Sequence, residues 1–194
     1  YTDQSWRLLS VIADAVADRA DVTRVYALTL SFSGHMALRC AARDSRIRGI
    51  VTAGAPVSGY FTDQEWHPML PRVTVDTLAH LTGTPSAGVT AHMAPWALGA
   101  DELASLDIPV YYVASRKDEI VPQGDTAFLR RHVRDLHLLE YDEDHGSPRY
   151  ATETRAWIMH SLLRLRGGRP LQRAVIGTVS GALRGRRRLT EVVK

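Results

Sequence analysis

A serine at the end of an apolar strand is the first candidate for catalysis. Residues 28–37 read L-T-L-S-F-S-G-H-M-A, so a strand runs into a turn of small residues at Ser31 and then into a helix. A serine hydroxyl held at such a turn can act as a nucleophile if a base and an acid lie near it. Alternatively, Ser31 only caps the helix, which is the commonest role of a serine in that position.

Two later strands each end in a residue that could serve this serine. Residues 108–122 form a β-branched and aromatic strand that ends in K-D-E-I-V-P and carries Asp118, and residues 137–141 precede D-E-D-H-G-S-P, which carries His145. Because open parallel sheets collect active-site residues at the carboxyl ends of their strands, we expect the three side chains to meet. The competing interpretations are a turn-forming Asp118 beside Pro122 and a loop histidine bonded to backbone.

These segments resemble the nucleophile, acid and base motifs of the α/β-hydrolases, in which Ser, Asp and His follow one another in this chain order. More narrowly, they resemble the group containing the fermentation-respiration switch protein, bacterial 2,6-dihydropseudooxynicotine hydrolase and the fungal polyketide-shortening hydrolases. Further matching motifs are G-A-P-V-S at 54–58, L-P-R-V-T-V-D-T-L-A at 70–79, K-D-E-I-V-P at 117–122 and D-H-G-S-P at 144–148. The resemblance covers about residues 1–166, and Thr29 and Ser33 replace the glycines of the usual G-x-S-x-G elbow.

The resemblance implies an α/β fold with a mostly parallel sheet flanked by helices, of which this chain holds strands five to eight and a helical lid. It also implies that Ser31 is the nucleophile, that His145 and Asp118 are its base and acid, and that the Phe32 amide is one oxyanion donor. The first four strands and the loop with the second donor are missing. Because a continuously apolar strand at 24–30 is normally paired at both edges, we expect another chain or fragment to supply the N-terminal half.

The chain divides into four predicted segments. Residues 1–56 hold an amphipathic helix, the elbow strand and the next strand; 57–107 form a helical lid insertion; 108–166 carry the acid and base; 167–194 form a basic tail. The helix is predicted over 1–19, with one apolar face formed by Trp6, Leu9, Ile12, Ala13 and Val16.

We expect a pocket for a small-molecule substrate, bulky and apolar or aromatic, to be lined by His35, Trp66, Met69, Met93 and Trp96, although such residues can equally pack the lid onto the core.

The composition limits the class of protein. Hydrophobic residues make up 45% of the 194 residues but form no run long enough for a membrane span. The single cysteine, Cys40, excludes an internal disulfide and is expected to be a small core residue. With no signal-peptide pattern at Tyr1, we expect a cytoplasmic protein. No phosphate loop, dinucleotide fingerprint or metal-ligand cluster is visible, so no metal or cofactor is predicted.

The tail is strongly basic, with nine Arg or Lys against one Glu in residues 164–194. Such a charge could face nucleic acid, anionic lipid or another subunit. Without aromatic residues interleaved for base stacking, nucleic-acid binding is not favoured. Gly177, Gly181 and Gly185 weaken a helix there, which favours a solvated or subunit-contacting tail. The sequence is also compatible with a homo-oligomer.

The sequence therefore predicts a serine hydrolase that acts on an ester, thioester or related carbonyl of a bulky apolar or polyketide-like substrate. The alternative is a carbon–carbon bond hydrolase or acyl-transferring cyclase of secondary metabolism that uses the same three residues. A third alternative, from another class, is a non-catalytic binding module of the same fold.

Overall fold

Four parallel strands form the sheet of this chain. The computed structural model describes residues 1–192, with the side chains of residues 1–187. Its strands are β1 (Val25–Leu30), β2 (Ile47–Ala53), β3 (Val110–Ser115) and β4 (Leu136–Tyr141), in the spatial order β1-β2-β3-β4. Leu30 pairs with Ala53 and Ser115 pairs with Tyr141, so the carboxyl ends of the strands are level within each pair. The predicted strands are confirmed, and with them the partial parallel sheet.

Helices cover both faces of the sheet. In residues 1–192 they are α1 (Leu8–Ala15), α2 (Phe32–Ala41), α3 (Gly59–Thr62), α4 (Arg72–Thr82), α5 (Val89–Met93), α6 (Ala100–Ala104), α7 (Gln123–His132), α8 (Ala151–Arg166) and α9 (Pro170–Val192). On one face, Leu38 of α2 and Leu129 of α7 are fully buried in a core that includes Ile50 of β2. On the other, Trp157 of α8 packs against residues of β2, β3 and β4.

The insertion between β2 and β3 forms a small core of its own. Its buried members come from α3, α4, α5, the short segment before α4 and the turn after α5: Tyr60, Phe61, Leu70, Leu78, Ala79, Val89, Met93 and Trp96. Within the insertion the regular elements are helices and 3₁₀ turns, and its role as a lid stays a prediction.

The first helix is shorter than predicted. A 3₁₀ turn at Ser5–Arg7 precedes α1, which ends at Ala15 instead of residue 19. The Thr2 amide donates to the Ser5 hydroxyl and the Ser5 amide to the Thr2 carbonyl, which holds the start of the chain in a tight turn. Of the predicted apolar face, Trp6, Leu9 and Ala13 face the core, whereas Ile12 and Val16 are exposed.

The basic tail also differs from its prediction, because α9 is a continuous helix that packs against α8. A Cβ built on Gly177 would lie 3.1 Å from His160 Nε2, so this glycine allows the two helices to approach closely. Farther along, the guanidinium of Arg187 lies 4.8 Å from the ring centre of Tyr141 and donates to the carbonyl oxygen of Glu140. Residues 193 and 194 of the predicted tail lie outside the described residues.

The two edges of the sheet are unlike each other. At the β4 edge, α9 contacts the strand through Arg187. At the other edge, β1 pairs only with β2 among the described residues, and Leu28 and Leu30 are 51% and 61% exposed. None of the helices in residues 1–192 combines the length and apolar character needed to cross a bilayer.

Candidate active site

The turn between β1 and α2 holds Ser31 in a strained conformation. Its φ of 51° and ψ of −130° lie in a region that non-glycine residues rarely adopt. Neighbouring contacts fix this conformation: the Ser31 amide donates to the Ala53 carbonyl at 2.7 Å, and the Ser33 hydroxyl donates to the Leu30 carbonyl at 2.7 Å. The hydroxyl of Ser33 therefore bridges the turn at a position where related elbows carry glycine.

The close approach of α2 to the sheet occurs one residue later, at Gly34. A Cβ built there would lie 2.2 Å from Thr52 Oγ1 and 2.5 Å from the Cβ of Ala55, both far inside van der Waals contact. Only glycine fits, because the neighbouring atoms belong to a buried strand and the loop that follows it. Thus Gly34 meets the packing requirement of this elbow.

The structure brings Ser31, His145 and Asp118 together at the carboxyl ends of β1, β4 and β3. His145 Nε2 lies 3.2 Å from Ser31 Oγ. On the other side of the ring, Nδ1 lies 2.9 and 2.8 Å from the two carboxylate oxygens of Asp118. The amides of Ile120 and Val121 donate to Asp118 Oδ1 at 2.9 and 2.8 Å, which fixes the carboxylate. The result is a continuous hydrogen-bonded path from a buried acid to an exposed turn.

Two carboxylates act on the imidazole of His145. Burial lowers its pKa, but the hydrogen bond and charge of Asp118 and the charge of Glu119 outweigh burial, so the pKa of His145 lies above 6.5. Glu119 also accepts a hydrogen bond from the His145 amide at 3.0 Å. The sequence alone did not identify Glu119 as part of this site. Its contact depends on how two loops fold together, for which the sequence carries no signal.

The amide of Phe32 is the first of helix α2 and directly follows Ser31. Amides in the first turn of a helix have no acceptor within the helix, and the helix dipole favours negative charge beside them. This amide is therefore available to an oxygen that develops negative charge next to the serine.

A cavity of about 290 Å³ opens beside Ser31. Among its lining residues, all within the described part of the chain, no side chain is charged at neutral pH: they are Tyr1, Ser31, Phe32, Pro56, Tyr60, Val73, Thr74, Thr77, Leu78, Leu81 and Ile120. Helix α4 supplies five of them, so one face of this helix forms a wall of the cavity. Such a lining suits an uncharged, largely apolar ligand.

None of the five residues predicted to line the pocket lies on the wall of this cavity. Met93 and Trp96 are buried in the core of the lid, and Met69 is exposed. Trp66 packs on the same core, and its indole N–H donates to the Ile120 carbonyl. His35 is buried with its ring centre 4.6 Å from that of Phe61; burial and the charge of Arg39 lower its pKa to about 3, so it is neutral. The largest apolar side chains therefore pack the lid, and smaller ones on α4 form the cavity wall.

Asp125 supports the loop after β2 and was missed by sequence reasoning. Its fully buried carboxylate accepts hydrogen bonds from the amides of Val57, Ser58 and Gly59 at 2.8, 3.0 and 2.6 Å. Burial raises the pKa of Asp125, an effect that these amides partly oppose. In the sequence Asp125 looks like an ordinary acid in the first turn of a helix, because its partners lie more than sixty residues away.

Within the part of the chain that the structure describes, no three His, Cys, Asp or Glu side chains lie close enough to hold a metal ion together. Beside Ser31, the titratable groups His145 and Asp118 instead form a chain of hydrogen bonds that ends at the serine hydroxyl.

A search of solved structures finds two closely similar chains. One, AbyA5, is 52% identical with a TM-score of 0.90 over 92% of this chain and 54% of its own length. The other, wild-type AbyA5, is 51% identical with a TM-score of 0.92 over 94% of this chain and 52% of its own. This chain thus spans about half the length of these relatives.

More distant structures share the fold. The 2,6-dihydroxy-pseudo-oxynicotine hydrolase is 17% identical with a TM-score of 0.66, covering 81% of this chain and 46% of its own length. The structure reported for the metagenome-derived lipolytic enzymes LipS and LipT is 17% identical with a TM-score of 0.58, covering 86% and 74%. No protein-family model matches the chain, and a search of curated proteins finds no match.

Proposed function

We propose that this chain, which shares the α/β-hydrolase fold with its structural neighbours, carries the nucleophile, base and acid of a serine hydrolase. The observation that supports this proposal is the hydrogen-bonded path from Asp118 through His145 to Ser31, with the serine at a strained strand-to-helix turn. A serine that only capped a helix would need neither the positive φ nor the two partners.

In the proposed reaction, His145 Nε2 takes the proton of the Ser31 hydroxyl as Oγ attacks a carbonyl carbon. Asp118 holds the imidazole in the tautomer that carries its proton on Nδ1, and its charge stabilises the imidazolium that forms. His145 then gives the proton to the leaving group, which leaves an acyl group on Ser31. Water activated by the same imidazole releases the acyl group as an acid.

The negative oxygen of the intermediate would accept a hydrogen bond from the Phe32 amide. In this fold a second amide comes from the loop after the third strand, a region without counterpart in these 194 residues. We propose that another segment or chain supplies it, seated against the free edge of β1, where Leu28 and Leu30 are exposed. An unpaired apolar parallel strand is otherwise a site of aggregation.

The lining of the cavity supports an uncharged substrate. An apolar acyl chain fits against Val73, Leu78 and Leu81, with Ser31 at one end of the cavity. A carboxylate or phosphate in this position would lose its water and gain no cationic partner from the lining side chains. We therefore propose an ester, thioester or related carbonyl compound with an apolar acyl group, polyketide-like compounds included.

A fluorophosphonate probe tests the proposal. The intact protein should become labelled on Ser31, as read by mass spectrometry, and Ser31→Ala should abolish labelling. Ser45→Ala is the control, because it removes an exposed serine hydroxyl outside this turn and should retain labelling. Labelling confined to another residue, or no labelling of the folded protein, would contradict the proposal and favour a binding module.

A carbon–carbon bond hydrolysis or acyl-transferring cyclisation would use the same residues. The apolar lining suits this alternative as well, since an uncharged 1,3-diketone needs no countercharge. Product analysis separates the two: simple esters yield an acid and an alcohol, whereas diketones yield an acid and a ketone, or a cyclised product.

The free edge of β1 can be tested by substitution. Leu30→Asp should weaken co-purification of the complementary segment and lower activity. Leu171→Asp, which places the same charge at a 75% exposed leucine of α9, should leave both unchanged. Equal behaviour of the two variants would contradict the assignment of this edge.

A further inference from the structure

A second groove lies at the opposite end of the strands from Ser31. It measures about 360 Å³ and is bounded by the amino ends of β3 and β4, the second half of α8 and the middle of α9. Side chains from all four elements line it, among them Tyr111, His137, His160, Arg164 and Arg184. The candidate catalytic residues follow the carboxyl ends of the same strands, so the groove is separate from that site.

Two arginines in this groove have no acidic partner. Arg164 comes from α8 and Arg184 from α9, and no carboxylate within the described residues forms an ion pair with either guanidinium. By contrast, Arg149 pairs with Glu143, and Arg130 pairs with Glu140. Two unpaired guanidiniums that converge on one groove repel each other, which an anion between them would relieve.

The remaining lining also suits an anion. His160 lines the groove together with the two arginines, and burial together with their charges lowers its pKa, so it is held neutral. The ring of His137 stacks on Tyr111 with centroids 4.3 Å apart, and its Nε2 lies 3.0 Å from an oxygen of Asp135. No acidic side chain belongs to the lining itself.

We propose that this groove binds a phosphate group, held between the guanidiniums of Arg164 and Arg184. A guanidinium presents parallel N–H donors that match the oxygens of a phosphate, and two of them balance a dianion. The aromatic wall formed by Tyr111 and His137 would contact the organic part of a phosphate monoester. A free phosphate monoester and the phosphate headgroup of a lipid share this chemistry.

Titration of the intact protein with inorganic phosphate, with chloride at equal ionic strength as the reference, tests the proposal by NMR. Phosphate should shift the Nε–Hε signals of Arg164 and Arg184 and raise the pKa of His160, because an anion offsets the two positive charges. Arg164→Gln and Arg184→Gln should each weaken binding about tenfold or more. The matched controls Arg155→Gln on α8 and Arg173→Gln on α9 remove the same charge from exposed positions and should bind normally.

Two further arms identify the source of the phosphate. Glycerol phosphate should compete with inorganic phosphate if the ligand is a free monoester, whereas vesicles with phosphatidic acid should retain the protein, in an Arg164-dependent manner, if it is a headgroup. The proposal is overturned if chloride produces the same shifts, or if all four variants behave alike. Circular dichroism of each variant ensures that a lost signal reflects lost binding and not unfolding.

Discussion

Gly54 lies against the imidazole of His145, and a Cβ at position 54 would come within 2.7 Å of its Cε1 atom. The glycine has a φ of 59° at the end of β2, and its amide donates to the Val113 carbonyl. The place of His145 beside Ser31 therefore depends on the absence of a side chain at Gly54, the residue that directly follows β2.

This contact predicts that Gly54→Ala disturbs the imidazole. The added methyl group should push the ring off the line between Ser31 and Asp118 and lower kcat/KM on a 4-nitrophenyl ester at least tenfold. The positive φ should also cost about 1 kcal/mol of unfolding free energy. Gly83→Ala is the control, since Gly83 has a φ of 68° with nothing within 4 Å of a Cβ. It should show the same stability loss and full activity; an active Gly54→Ala enzyme would contradict the argument.

Gly34 gives a prediction about stability. Gly34→Ala places a methyl group on Thr52 and Ala55 and should lower the free energy of unfolding by about 3 kcal/mol, measured in urea. Gly124→Ala, near the start of α7 with nothing within 4 Å, should be neutral or stabilising by up to about 1 kcal/mol. If the two substitutions had equal effects, the tight contact between α2 and β2 would be refuted.

Glu119 should set the pH dependence of the proposed reaction. His145 must be neutral to accept a proton, so activity should fall as the pH drops through its raised pKa, above 6.5. Glu119→Gln removes one charge that raises this pKa while keeping an oxygen for the His145 amide. The acidic side of the pH–activity profile should therefore move to lower pH, while the maximal activity at higher pH is retained. Asp101→Asn, at an exposed carboxylate of α6, should leave the acidic side in place, and an unmoved acidic side in Glu119→Gln would refute this role.

Asp125 should matter for stability more than any exposed acid. Asp125→Asn turns an acceptor of several backbone amides into a group with one oxygen, and should cost about 2–4 kcal/mol in chemical unfolding. Activity should fall as well, because the supported loop carries Pro56 and Tyr60 of the cavity wall. Asp107→Asn, with a 92% exposed side chain, should change stability by no more than about 0.5 kcal/mol. Similar losses in both variants would contradict a special role for Asp125.

The strands and the grouping of Ser31, Asp118 and His145 could be predicted because both follow from local patterns. Each strand is a short apolar run bounded by turn residues, and parallel strands bring their carboxyl ends to one edge. The similarity to AbyA5 and to the more distant hydrolases confirms the predicted partial α/β-hydrolase fold. The roles of these three residues in catalysis stay a prediction.

The cavity wall could not be predicted, because it depends on which face of each lid helix turns inward. Size and apolar character favoured Met93 and Trp96, yet such side chains gain most by packing against each other. The smaller, exposed residues Val73 and Thr77 of α4 form part of the wall instead. A similar reason applies to α9, where glycine propensity indicated a weak helix, whereas Gly177 is the residue that lets α9 pack on His160.

The unlike edges of the sheet limit how isolated copies of this chain can associate. Growth of a fibril by strand addition needs two receptive edges on every molecule, one to accept a copy and one to offer the next. Here the guanidinium of Arg187 on α9 already donates a hydrogen bond to the Glu140 carbonyl at the β4 edge, so β1 is the more receptive edge. Two copies that meet through β1 would satisfy each other, and association would stop at a closed pair in place of an open polymer.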